Sequence, residues 1–142
     1  MYGNKFAIII GALFFIIDRV FKKLSSIYAI NKDIELWNSA FRFTHTRNSG
    51  AAFGFFPSQR GFIILISIIA LIFVIRLLKR AEPVNIHFVY GIWILIAGII
   101  GNLMDRIFFG YVIDYFQILN SPIFNISDIA IIIGMAIILF LS

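Results

Sequence analysis

Residues 84–104 carry no formal charge, and a helix of that length crosses the ~30 Å hydrocarbon core of a bilayer. Three more apolar runs accompany it, at about 6–21, 61–78 and 122–142, the last with Asp128 as its only charge. A crossing helix needs about 17–25 residues, so the first run is short and must borrow its polar end. A soluble alternative fails on surface. The 142 residues are 61% hydrophobic and 13% charged, whereas soluble domains are about 45–50% apolar and about 25% charged. A soluble domain of this size hides only about two-thirds of the surface its chain exposes. The expected fold is therefore an all-α membrane protein: one integral membrane domain over 1–142 with four transmembrane helices, and a loop over about 22–60. The first run follows Lys5 but ends in Ile16-Ile17-Asp18-Arg19 without a small-residue cleavage site, so it is expected to be a retained span.

The connections add detail. Lys79-Arg80-Ala81-Glu82-Pro83 reads as a hydrophilic hairpin, with Pro83 suited to a helix start. Within the long loop, Phe41–Thr46 opens with apolar–polar alternation, which predicts a small β element between helices 1 and 2. Asn48-Ser49-Gly50 reads as a turn, and the aromatic stretch at 53–57 suits an interfacial belt. Orientation by charge is ambiguous. The side holding both termini carries Lys5, Arg76, Lys79 and Arg80; the loop side carries Lys22, Lys23, Lys32, Arg42, Arg47 and Arg60. A raw count puts the loop inside, yet the rule weakens where the cations belong to folded segments.

The net charge of +5 is spread between apolar runs, which suits membrane lipids as partners and no nucleic acid. Without Cys there is no thiolate chemistry or Cys-based metal site. His45 and His87 stand alone, and no metalloprotease, nucleophile-elbow, Walker or Rossmann signature is present. No metal or other cofactor is expected.

Paired carboxylates remain. Asp18, Asp105, Asp114 and Asp128 lie at the span ends facing the long loop, at about one depth, and ionisable groups inside a bilayer are functional candidates by default. Asp114 and Asp128 are the pair best placed to meet, across the short return between spans three and four. Two carboxylates sharing one proton can activate water and protonate the group it attacks. Plainer readings stand beside this one. Asp114 could be a solvated loop carboxylate, and Asp128 could cap a helix start or pair with Arg106. Asp18 and Lys22, at i,i+4, could form a simple salt bridge. Asn102, Asp105 and Arg106 share a helix face and could merely hold helices together, and Asn125 with Asp128 at i,i+3 could be a cap. His45 reads as a surface strand residue. Two non-enzymatic alternatives are a small proton-coupled transporter subunit and a membrane assembly factor.

The motifs resemble those of bacterial lipoprotein signal peptidases (type II signal peptidases). Asn48-Ser49-Gly50-Ala51-Ala52-Phe53-Gly54 is similar to their N-x-G-A-A-F motif, Gly101-Asn102-Leu103-Met104-Asp105-Arg106 to G-N-x-x-D-R, Gly110-Tyr111-Val112-Ile113-Asp114-Tyr115 to G-x-V-x-D-[FY], and Phe124-Asn125-Ile126-Ser127-Asp128 to F-N-x-[AS]-D. Asp18 with Lys22 resembles D-x-x-x-K. The five keep the family's order from residue 18 to residue 128. Arg19 stands where Gln is usual, and Ser127 where Ala is commoner. The resemblance implies an intramembrane aspartyl endopeptidase that removes the signal peptide from diacylglyceryl-modified prolipoproteins. Asp114 and Asp128 would be the catalytic dyad. Asn48, Gly50, Asn102, Arg106, Asn125, Asp18 and Lys22 would bind substrate or orient the carboxylates. It also implies a monomer in the cytoplasmic membrane without cofactor or metal, both termini cytoplasmic, and the active site and β element near the extracytoplasmic face.

Overall fold

The computed structural model describes residues 2–30, 32–38, 40–50, 59–80 and 85–140. Residues 51–54 of the first motif, the aromatic stretch at 53–57 and Pro83 lie outside them. The elements are α1 (Tyr2–Tyr28), β1 (Ile34–Leu36), β2 (Phe41–Asn48), α2 (Arg60–Arg80), α3 (Ile86–Phe108), β3 (Val112–Ile118) and α4 (Ile126–Phe140). The chain is thus mostly helical, with one three-stranded antiparallel sheet ordered β1-β2-β3.

α1 is inverted relative to a soluble amphipathic helix. Its buried positions, Ala7, Gly11, Asp18, Lys22 and Ser25, recur at helical spacing and turn polar toward the C-terminal end. Its exposed face holds Phe6, Ile9, Leu13, Ile16, Ile17 and Val20. Water would penalise both choices; hydrocarbon outside and partnered charges inside favour both. α2 follows the same logic, exposing Leu65, Ile66, Ile69, Ile72 and Phe73 while fully burying only Ile63 and Val74 among its described side chains. Among the described residues, two helices are long and apolar enough to cross a membrane, Arg60–Lys79 and Ile86–Phe108; α4 is a shorter apolar helix.

α3 is the central helix and packs on the other three. Val74, Ile92, Leu95 and Ile96 form the buried core, with Ile131 and Ile138 of α4 against it. α3 and α4 approach closely at glycines. A Cβ on Gly98 would lie 2.5 Å from the Ser127 carbonyl oxygen, and one on Gly134 would lie 2.7 Å from the Leu95 backbone nitrogen. Without a hydrophobic drive between helices in lipid, such small-residue contact holds them together.

Two expectations need correction. The β element is not confined to the α1–α2 connection: its third strand is Val112–Ile118, from the α3–α4 connection. That strand carries Asp114, so this residue is ladder-bound and 3% exposed, not a solvated loop carboxylate. Helix four also begins at Ile126, not near Pro122. The Asn125 side chain accepts from the Asp128 N–H at 2.8 Å, and the Asp128 carboxylate accepts from the Asn125 N–H at 3.2 Å. This reciprocal cap starts the helix, which puts Asp128 in its first turn.

Candidate active site

The sheet delivers the first carboxylate. β2 pairs Phe43 with Phe116 and Thr46 with Asp114, so Thr44 and His45 together oppose Tyr115. This bulge bends β2 and leaves Asn48 where its Nδ2 donates to Asp114 Oδ2 at 2.9 Å. His45, expected at the surface, is half-buried, with Nδ1 3.0 Å from Ser25 Oγ of α1.

The second carboxylate comes with the α4 cap, and Asn125 joins the two. Its Oδ1 caps the Asp128 N–H, while its Nδ2 donates to Asp114 Oδ1 at 2.6 Å and to Asn102 Oδ1 at 3.2 Å. Asn102 Nδ2 donates to Asp128 Oδ1 at 2.7 Å. Asp114, Asn125, Asn102 and Asp128 therefore form one closed network contributed by β3, α4 and α3. The cap reading of Asp128 is realised, but it uses one carboxylate oxygen and leaves the other to Asn102. Burial, and next the charge of Asp128, push the Asp114 carboxyl up to about 7, against the hydrogen bonds from Asn48 and Asn125.

Arg106 closes the ring from another side. It donates to the Asn102 carbonyl at 3.3 Å and to the Gly50 carbonyl at 2.9 Å, and the Gly50 N–H donates to Asn48 Oδ1 at 3.0 Å. Gly50 thus joins the chain segment that holds Asn48 to α3. Between α2, α3 and α4 lies a cavity of about 330 Å³. Asn102, Arg106, Asp128 and Ser67 are its polar lining; Phe62, Ile63, Ile66, Ala70, Ile99 and Ile131 line the rest.

Asp18 and Lys22 lie outside this cavity, in a separate cluster that sequence reasoning grasped only in part. Lys22 Nζ lies 2.8 Å from Asp18 and 2.7 Å from Asp105, and Arg19 lies 3.0 Å and 2.6 Å from the same two carboxylates. Asp18 also accepts from Tyr115 Oη at 2.9 Å, the Ser127 N–H at 3.2 Å and Ser127 Oγ at 2.8 Å. The cluster touches the network twice, through Lys22 to Asn102 Oδ1 at 3.4 Å and through Ser127, the neighbour of Asp128. Asp105 further accepts from the Ile113 N–H at 3.2 Å, holding the strand residue before Asp114. Asp105 stood out in the sequence as one of four carboxylates at the span ends, and Arg19 and Ser127 only as departures from the family pattern; Tyr115 was given no role, its one signal being a hydroxyl beside Asp114. Among the described residues no group of His, Cys, Asp or Glu is arranged to hold a metal ion.

Comparison with known proteins places this geometry. Residues 10–142 match the family model described as signal peptidase (SPase) II. A lipoprotein signal peptidase of Maridesulfovibrio salexigens is 36% identical over 141 residues, covering 89% of this chain and 87% of that one. One from Lactococcus lactis subsp. cremoris is 35% identical over 130 residues, covering 89% and 85%. A solved bacterial membrane enzyme superposes with a TM-score of 0.90 at 30% identity, covering 96% of this chain and 87% of its own. A match over nearly the whole chain means that the chain belongs to the signal peptidase II family.

Proposed function

We propose that this signal peptidase II removes the signal peptide from diacylglyceryl-modified prolipoproteins as an intramembrane aspartyl endopeptidase, with Asp114 and Asp128 as its catalytic dyad. The observation that carries this reading is the joint hold of Asn125 on both carboxyl groups, by its side-chain amide on Asp114 and its backbone N–H on Asp128, with Asp128 at the polar end of a largely apolar cavity. Below about pH 7 Asp114 holds the proton and hydrogen-bonds the scissile carbonyl. Asp128 accepts a proton from water as the water oxygen attacks the carbonyl carbon. The C–N bond then breaks and the proton passes to the leaving amine. Asn48, Asn102 and Asn125 orient the carboxylates; Arg106 and Gly50 hold the segment that carries Asn48. Asp18 and Lys22 act through Ser127 and Asn102, as positioning residues.

In this reading the whole chain is one membrane domain with α1, α2, α3 and α4 as four spans, both termini are cytoplasmic, and the sheet and dyad lie near the outer face. Its support is the inverted burial of α1 and the gathering of all four carboxylates at the sheet end of the helices. Every member of the site comes from one chain, so a monomer suffices. A diacylated peptide reaches such a site by lateral diffusion, its acyl chains against apolar walls and its scissile bond at the polar end.

The test is cleavage by the protein reconstituted in lipid vesicles, with a precursor offered with and without the diacylglyceryl group. Mass spectrometry of the products is expected to show one cut, on the amino side of the modified cysteine, in the lipidated precursor alone. Cutting elsewhere, or equal cutting of both forms, would overturn the reading. A pH profile adds a second prediction. Activity is expected to fall through an alkaline limb near 7, where the pair loses its shared proton. The Asn48 amide donates to the ionised form of Asp114. Removing it by Asn48→Ala therefore raises the limb, by about one pH unit if the bond contributes roughly 1.5 kcal/mol. A limb that stays or moves down would show that Asn48 does not tune the dyad.

A further inference from the structure

The sheet is two-faced, and only part of its apolar face is covered. The register sets Ile34 beside Phe43 and Leu36 beside Phe41, and these beside Phe116 and Ile118. The alternate positions pair Glu35 with Arg42 and Arg42 with Gln117. One face is therefore wholly apolar over this stretch and the other polar. The inner end of the apolar face packs on α1, where the Phe21 ring centroid lies 6.2 Å from that of Phe43 and 5.1 Å from that of Phe116. The outer end is open: Ile34, Leu36, Ile118 and Leu119 are all exposed. At the corner stands Trp37, 85% exposed, its backbone at φ +49 and that of Asn38 at +54. Left-handed backbone at two consecutive non-glycine residues costs energy, here at a turn that presents an indole outward.

We propose that this outer corner of the sheet seats in the headgroup–acyl boundary of the bilayer, with Trp37 as its interfacial anchor. The exposed apolar stripe of α1 continues along the chain through Ile27, Tyr28 and Ile30 to β1, so the corner extends a surface that already faces lipid. Indole rings favour this boundary because one edge is apolar and the N–H is wet. Lys32, exposed and two residues before β1, suits anionic headgroups. The anchor fixes the depth of the sheet, and the sheet carries Asp114. This inference rests on the membrane location alone and stands or falls apart from the peptidase reading.

The chain has two tryptophans and no cysteine, which makes the test direct. Trp93→Phe leaves Trp37 as the sole indole in vesicles of phosphatidylethanolamine and phosphatidylglycerol. Lipids brominated near the headgroup are expected to quench it at least about twofold more than lipids brominated near the chain end, with aqueous acrylamide a poor quencher. Free acrylamide quenching without bromine quenching would overturn the proposal. So would emission that reddens when the protein is diluted in lipid, which would mean a second copy covers the corner. A nitrobenzoxadiazole label on Leu119→Cys gives the same readings should Trp93→Phe fail to fold.

Discussion

Asp128→Asn, and separately Asp114→Asn, leaves a folded protein whose cleavage of a lipidated precursor falls by about a thousandfold or more. Shape is nearly unchanged in either variant, but the ability to exchange a proton is gone. The network predicts what else follows. Asp128 accepts from Asn102 Nδ2 and from the Asn125 N–H; Asp114 accepts from Asn48 Nδ2 and Asn125 Nδ2. An amide offers one acceptor oxygen where the carboxylate offered two, so one donor loses its partner in each variant, a loss of about 1–3 kcal/mol. Thermal unfolding in detergent reads that loss, and product formation reads the chemistry. Turnover within tenfold of the parent in either variant would dismiss the dyad. A lost proton-linked flux with intact cleavage would instead favour transport.

The carboxylates were legible in the sequence because charge is scarce in this chain: a few acids at one end of apolar runs stand out, whatever their neighbours. The third strand was not. In Val112–Ile118 the first four residues are buried on both faces, which erases the two-residue alternation that marks a half-exposed strand. The bulge at Thr44 and His45 was equally hidden, since it depends on which residues of β3 lie opposite. The start of α4 was readable: Asn125 followed three residues later by Asp128 is a capping pair, and it outweighs the apolar run that suggested a start near residue 122. Arg19 was visible as a departure from the family, but its bridge to Asp105 spans 86 positions. Only the packing of α1 on α3 brings those two together.

That bridge belongs to the cluster behind the second large effect. Lys22→Met is expected to cost about 3–5 kcal/mol of stability, the range for breaking a buried ion pair from one side. Asp18 and Asp105 are both 0% exposed and Lys22 is 3% exposed, and two acids against Lys22 and Arg19 make a neutral group. Removing Lys22 leaves one negative charge in excess where no water can reach it. It also frees Asn102 Oδ1 from Lys22 Nζ, so activity falls together with stability. Charge count and local packing are separable. If the uncompensated charge is the cause, Lys22→Met combined with Asp105→Asn restores neutrality and is more stable than Lys22→Met alone. If lost packing is the cause, the double variant is worse than either single one. Unfolding of the four proteins in the same detergent decides between these, and a Lys22→Met variant as stable as the parent would show that the cluster does not hold α1 to α3.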